Sequence, residues 1–236
     1  MKKFSNSCEF EKIAPDRVDV WPIYIPDVQP QITFFETLLS QKEREKAEKF
    51  LREKERVSSI LARGILRILL SKYSDENPQD IIFHYSDAGK PFIDASIDFN
   101  LSHSGEWILL AFGTQRAVGI DIEKVNFKRN VLAVAERYFS SKEVECIKQS
   151  ENPIKQFFNF WAQKEAYIKA CGSTLFQELS DCVVPLPTKN VPNLGTKGDW
   201  FFQTLEISPE YAAAVVTNRS FEQIKFYDFG AVKWEN

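Results

Sequence analysis

Val118-Gly119-Ile120-Asp121-Ile122-Glu123 is the stretch on which the reading of this chain turns. Its alternation predicts a strand: successive side chains point to opposite faces, so Val118, Ile120 and Ile122 share one side and Asp121 and Glu123 the other. Further along, Trp161-Ala162-Gln163-Lys164-Glu165-Ala166-Tyr167-Ile168-Lys169 has a helical period. It sets Trp161, Glu165 and Lys169 on one stripe at i, i+4 and i+8. If strand and helix pack together, three carboxylates and an ammonium converge. Three carboxylates repel one another without a cation, and an all-oxygen set suits Mg²⁺ better than zinc. Each motif alone also has an ordinary reading, as the wet face of a sheet and as a solvated pair on a helix.

Upstream, Phe99-Asn100-Leu101-Ser102-His103-Ser104-Gly105 precedes the strand-like run Trp107-Ile108-Leu109-Leu110-Ala111-Phe112. It adds a turn rich in backbone N–H and hydroxyl donors, with a histidine, a common way of holding a phosphate-like anion.

The composition is that of a soluble globular enzyme. At 236 residues the chain forms one large domain or two small ones with a substantial core. Its 30 basic and 33 acidic residues leave a net charge of −3, which argues against general nucleic-acid binding. Cys8, Cys146, Cys171 and Cys182 are scattered without C-x-x-C spacing, and His84 and His103 are the only histidines. A structural zinc site is therefore not expected, and reduced thiols in a cytoplasmic protein are. Met1-Lys2-Lys3-Phe4-Ser5 lacks the apolar core of a signal peptide, and no run of eighteen apolar residues suggests a membrane span.

Along the chain, residues 18–25 alternate as a first strand, with Pro22 suggesting an edge. Ser40 and Glu43 form a capping-box signature opening a charged helix at 41–51. A second helix over 53–73 carries an apolar face; its Arg63 and Arg67 either add to a phosphate contact or, as i,i+4 arginines, face water, and the second is expected. A strand at 81–85, a turn at 86–91 and a strand pair at 99–102 and 106–112 follow, then a plausible hinge at 113–116. The second half offers a strand at 117–123, helices at 131–138, 141–149 and 154–171, and strands at 200–207 and 211–217. Residues 185–198 read as a loop or irregular hairpin, and the aromatic tail 226–229 as an edge strand or packed terminus. Phe157, Phe158 and Phe160 cannot share one helical face, so either one is exposed for docking or the helix is buried on several sides.

The order Gly89-Lys90-Pro91, Asn100-Leu101-Ser102-His103-Ser104, Gly119-Ile120-Asp121-Ile122-Glu123 and Trp161-x-x-Lys164-Glu165-Ala166-x-x-Lys169-x-x-Gly172 closely resembles the surfactin-type (Sfp-like) 4′-phosphopantetheinyl transferases over residues 20–216. The resemblance implies an α+β fold of two similar α/β halves related by a pseudo-twofold, with the cofactor site between them. The halves would be residues 1–115 and 116–236, the second carrying the metal site. It also implies a monomer that moves the 4′-phosphopantetheine group of coenzyme A onto a serine of apo acyl or peptidyl carrier proteins. The reaction would be Mg²⁺-dependent and release 3′,5′-ADP, in fatty-acid, polyketide or nonribosomal-peptide biosynthesis.

Residue by residue, the resemblance makes Asp121, Glu123 and Glu165 the Mg²⁺ ligands and Glu165 the candidate base, directly or through water. A cation lowers a ligand carboxylate's pKa, which favours the water relay. Lys169 would neutralise the charge that grows on the pyrophosphate. His103, with Ser102 nearby, would meet the 3′-phosphate, and Lys90 and Lys46 would be further basic contacts. Glu43 stands where the best-known pattern has a lysine, so that contact weakens or shifts to Lys42 or Arg44. Lys164 is either a surface lysine or a supporting residue, and Trp161 a packing residue. Residues 139–143 and 148–158 lie where relatives meet the carrier. Two other classes remain open: a noncatalytic coenzyme A or nucleotide-binding module, and a Mg²⁺-dependent phosphohydrolase.

Overall fold

The run Ile108-Leu109-Leu110-Ala111-Phe112 has no polar face because the strand it forms, β5 (Trp107–Thr114), is buried on both sides. Ile108, Leu110 and Phe112 pack with α4 (Glu53–Ser74) in one core. Leu109 and Ala111 lie in a second core with Val118, Ile120 and Ile122 of β6 (Val118–Lys124). The computed structural model, which describes residues 12–128, 130–173, 182–186 and 194–231, thus stacks helix on sheet on sheet on helix. In the first sheet β1 (Arg17–Tyr24) lies between β10 (Gln223–Phe226) and β5, and β4 (Ile97–Ser104) takes the edge. The second sheet has the order β6, β9 (Tyr211–Thr217), β8 (Trp200–Leu205), β7 (Leu194–Lys197), with every pairing antiparallel. Its outer face, including Ala212, Ala214 and Val216, packs on Phe160, Ala166 and Ala170 of α7 (Pro153–Cys171).

Short helices α1 (Ile25–Val28), α2 (Ile32–Thr37) and α3 (Gln41–Glu48) lead into α4. A small hairpin of β2 (His84–Tyr85) and β3 (Pro91–Phe92) leads into β4. Helices α5 (Val131–Tyr138) and α6 (Ser141–Gln149) join β6 to α7. The expected capping box is present: Ser40 Oγ accepts from Glu43 N, and the Glu43 carboxylate accepts from Ser40 N. A second one opens α6 at Ser140 and Glu143. The C-terminal strand β10 runs parallel to β1, so the end of the chain returns to the first sheet. Tyr227 then stacks on Trp21 at 4.5 Å between ring centroids. Among the described residues no helix is long and apolar enough to cross a membrane.

Several expectations from the sequence are corrected. Pro22 does not mark an edge strand: β10 pairs only Arg17–Val20, so Pro22 sits beyond its reach, where a missing N–H costs no ladder bond. Only His84–Tyr85 of the expected 81–85 strand pairs. Phe157, Phe158 and Phe160 are all buried, because α7 is enclosed on several sides by the second sheet, α5 and α6. Arg67 does not face water; it is 3% exposed. It donates to Glu43 at 2.9 Å and to the carbonyls of Pro78 at 2.7 Å and Ile81 at 3.1 Å. Arg63 also pairs with Glu43, at 3.4 Å, and lies over the Phe83 ring. Glu43 therefore serves α3 and α4, and Arg44 turns away to the Leu39 carbonyl.

Candidate active site

Gly119 brings the site together. A Cβ at this position would run into the Ala166 carbonyl and the Ala170 amide, so only glycine lets α7 lie directly on β6. The face of β6 turned to α7 then carries Asp121 and Glu123, as the alternation predicts, opposite Glu165 and Lys169. Gly172 ends α7 in the left-handed conformation at φ 66°, its N–H accepted by the carbonyls of Ile168 and Lys169. Lys169 thus occupies the last turn, where the helix dipole favours a cation.

Lys169 Nζ lies 2.6 Å from Asp121 Oδ1 and 3.0 Å from Ser102 Oγ, and the Ser102 hydroxyl donates to the same Asp121 oxygen at 2.7 Å. Asp121 is 3% exposed, and its other oxygen, Oδ2, is buried without a hydrogen-bond partner. Burial pushes the Glu165 carboxyl up to about 7; the Asp121 charge and, less strongly, that of Glu123 add to the rise, and Lys169 opposes it. No group of three or more His, Cys, Asp or Glu side chains among the described residues is gathered tightly enough to hold a metal as the side chains stand. The donor set nevertheless fits a hard divalent cation. It is all oxygen, one of its oxygens is buried and unpartnered, and one of its carboxyls is held up by burial and by the charge of its neighbours.

Ser102 and His103 are not in a turn. The strand expected at 99–102 runs on as β4 through His103 and Ser104, and only Gly105, at φ 60°, and Glu106 make the reversal into β5. The period of two explains this: Phe99 is in the first core and Leu101 packs against it, whereas Asp98, Asn100, Ser102 and Ser104 face β6. Each accepts one backbone N–H of that strand, from Val118 at 3.3 Å, Ile120 at 2.9 Å, Ile122 at 3.4 Å and Lys124 at 3.0 Å. The free edge of β6 is thereby satisfied by side chains rather than by a neighbouring strand.

His103 stays exposed at the surface, but protein crowding around the ring holds its pKa below the usual imidazole range. The Lys169 ammonium pushes the same way, against Asp121 and Glu55. Lys90 meets Asp98 at 3.0 Å and donates to the Val118 carbonyl at 3.1 Å, beside the C-terminal end of α7. Lys46 is exposed on α3, and no hydrogen bond or ion pair ties it to this cluster among the described residues. The structure thus brings together Ser102, His103, Asp121, Glu123, Glu165 and Lys169, and sets Lys90 at their border.

Lys164 is not a surface residue. It is fully buried, 3.2 Å from Glu143, donates to the Cys182 carbonyl and lies over the Phe139 ring at 4.8 Å. Sequence reading gave no part to Asp98 and Asn100 in holding β6, or to Glu143 in pairing Lys164. The signal for the first two was available in Asp98-x-Asn100-x-Ser102-x-Ser104, an unbroken period-two run of short acceptors.

Comparison with known proteins points to one family. Residues 117–216 match the model of the 4′-phosphopantetheinyl transferase superfamily, and residues 26–115 that of the 4′-phosphopantetheinyl transferase N-terminal region. The chain is 30% identical over 224 residues to the 4′-phosphopantetheinyl transferase HetI of a Nostoc species, covering 92% of this chain and 94% of that one. It is also 30% identical over 205 residues to the 4′-phosphopantetheinyl transferase Sfp of Bacillus subtilis, covering 83% and 90%.

Proposed function

Because the chain belongs to the 4′-phosphopantetheinyl transferase superfamily, we propose that it moves the 4′-phosphopantetheine group of coenzyme A onto a serine of apo carrier proteins and releases 3′,5′-ADP. In this reading it acts as a cytoplasmic monomer. Mg²⁺ is held by Asp121, Glu123 and Glu165. The observation that carries this is the Asp121 carboxylate, one oxygen taken by Lys169 and Ser102 and the other buried and unpartnered beside Glu165.

Phosphoryl transfer needs little covalent help and much charge neutralisation and alignment. A bound Mg²⁺ supplies Lewis-acid stabilisation of pyrophosphate oxygens. Lys169, in reach of Asp121 and Ser102, stabilises the charge on the departing 3′,5′-ADP side. Glu165 takes the proton of the incoming serine hydroxyl through a water rather than directly, because a cation on its carboxylate would lower its basicity. His103 meets the 3′-phosphate at the edge of the site, and Lys90 and Lys46 add basic contacts to the nucleotide. Ser102 holds Asp121 in orientation and lines the cofactor cleft. The carrier docks by α6, where a cleft of about 650 Å³ is lined by Ser141, Lys142, Cys146, Gln149 and Leu186.

The test is incubation with coenzyme A, Mg²⁺ and several apo-carriers. The expected result is a gain of about 340 Da on the carrier serine, one phosphopantetheine moved by the transfer just described. Hydrolysis of coenzyme A without carrier modification would support the phosphohydrolase reading. Binding without turnover would support the noncatalytic module.

A further inference from the structure

β4 and β6 run side by side in the same direction on facing edges of two different sheets. Every contact in the polar ladder joins residues twenty apart in sequence: 98 with 118, 100 with 120, 102 with 122 and 104 with 124. Parallel strands in one sheet would fix their register by backbone bonds. β9 fixes the faces of β6 by backbone bonds on its other edge, and on this edge the alignment of β6 with β4 rests on four side-chain acceptors.

The four rungs are not equivalent. Ser102 already belongs to the charged cluster through Asp121 and Lys169. Asp98 is engaged with Lys90. Ser104 is the outermost rung, bonded to Lys124 at the end of β6. Asn100 is different: it is 6% exposed, touches none of Asp121, Glu165 or Lys169 by hydrogen bond, and holds the N–H of Ile120 at 2.9 Å. Ile120 is the residue immediately before Asp121, fully buried between the sheets. Its N–H has little access to water, so the Asn100 carbonyl is the acceptor that keeps this peptide in place.

We propose that Asn100 is a positioning residue of the transferase: by accepting the Ile120 N–H it sets the height of β6 against β4, and so places Asp121 between Ser102 and Lys169. It acts through the strand rather than by touching a reactant. This inference rests on the proposed role of Asp121. Small displacements of an aligned group weaken phosphoryl transfer steeply, whereas the surface that binds the nucleotide is left in place.

The experiment compares Asn100→Leu, Asn100→Ser and Ser104→Ala with wild type, measuring kcat, the KM for coenzyme A, melting temperature and amide exchange at residue 120. Leucine keeps the volume and removes the acceptor. Serine restores a neutral acceptor of the kind used at positions 102 and 104. The expected result for Asn100→Leu is a kcat lowered by ten- to a hundredfold, a KM within threefold of wild type and faster exchange at Ile120. Asn100→Ser should recover most of kcat, and Ser104→Ala should retain wild-type turnover. If Asn100→Leu does not fold, the Asn100→Ser and Ser104→Ala pair decides. An Asn100→Ser variant with slow exchange at Ile120 and wild-type kcat upholds the proposal, and one with slow exchange and a collapsed kcat overturns it. Losses of kcat that simply follow melting temperature across the variants would also overturn it. A wild-type protein that modifies no carrier would instead defeat the assigned reaction, which is a separate outcome.

Discussion

Helix α7 carries two lysine–carboxylate pairs five residues apart, and they are finished to different degrees. Lys164 and Glu143 are both fully buried, 3.2 Å apart. Glu143 also accepts from Ser140 N at 2.7 Å and Val184 N at 2.9 Å, while Lys164 donates to the Cys182 carbonyl. Lys169 and Asp121 make a shorter contact, 2.6 Å, yet the lysine is 29% exposed, one Asp121 oxygen has no partner, and Glu165 nearby is pushed towards neutrality. A satisfied buried pair fixes a fold, because breaking it strands a charge. A pair left incomplete beside like charges keeps unspent capacity for a ligand.

The comparison is broken most severely at Asp121. Asp121→Ala should abolish carrier modification, a loss of about a thousandfold or more, since it removes both the shared oxygen and the unpartnered one. Far-ultraviolet circular dichroism should stay that of the wild type. Near-normal turnover at saturating coenzyme A and Mg²⁺ would refute the assignment. Glu123→Gln should be milder, because an amide oxygen or a water can take that place.

Lys164→Met should cost about 3–5 kcal/mol of stability by leaving Glu143 buried and unpaired, read as a drop in denaturant midpoint. The folded fraction should keep a wild-type KM for coenzyme A. Lys169→Ala should lower kcat by about a hundred- to a thousandfold, the size of losing one transition-state donor, with little change in coenzyme A affinity by calorimetry. Arginine at position 169 should rescue poorly, since a planar fork does not replace a compact ammonium.

The smallest effect concerns His103. Its alanine variant should raise the KM for coenzyme A by about tenfold, the order of one charge-assisted hydrogen bond, and leave dephospho-coenzyme A unaffected. The pH dependence follows from its lowered pKa. Protein crowding around the ring holds the free imidazole towards its neutral form, and an approaching phosphate favours the protonated ring, so coenzyme A affinity should strengthen as pH falls into and below the ordinary imidazole range. A pH-independent KM ratio between coenzyme A and its dephospho form would remove His103 from the 3′-phosphate.

Much of this architecture was legible in the sequence, and the misreadings share a cause. β6, α4 and α7 announce themselves because one face of each is apolar at the right period. The 99–102 strand is legible, but its continuation through His103 and Ser104 looks like a turn because serine favours turns when solvated, and nothing local shows that the partners of Asn100, Ser102 and Ser104 are the N–H groups of a strand twenty residues on. Arg67 and Lys164 look like surface charges because Glu43 and Glu143 are remote in sequence and meet them only after folding. The three phenylalanines of α7 exceed one face because the helix is wrapped by a sheet and two other helices. Asp121, Glu123, Glu165 and Lys169 were legible because a strand and a helix each hold their spacing whatever surrounds them.

The most direct test measures melting temperature and single-turnover carrier modification together for Lys164→Met and Lys169→Ala. A crossed result is expected. Lys164→Met should melt well below wild type while its folded fraction transfers at near the wild-type rate, and Lys169→Ala should melt near wild type while its transfer rate falls by about two orders of magnitude or more. If both variants lose stability and rate in proportion, the two pairs on α7 do the same job, and the division between a structural and a catalytic pair is wrong.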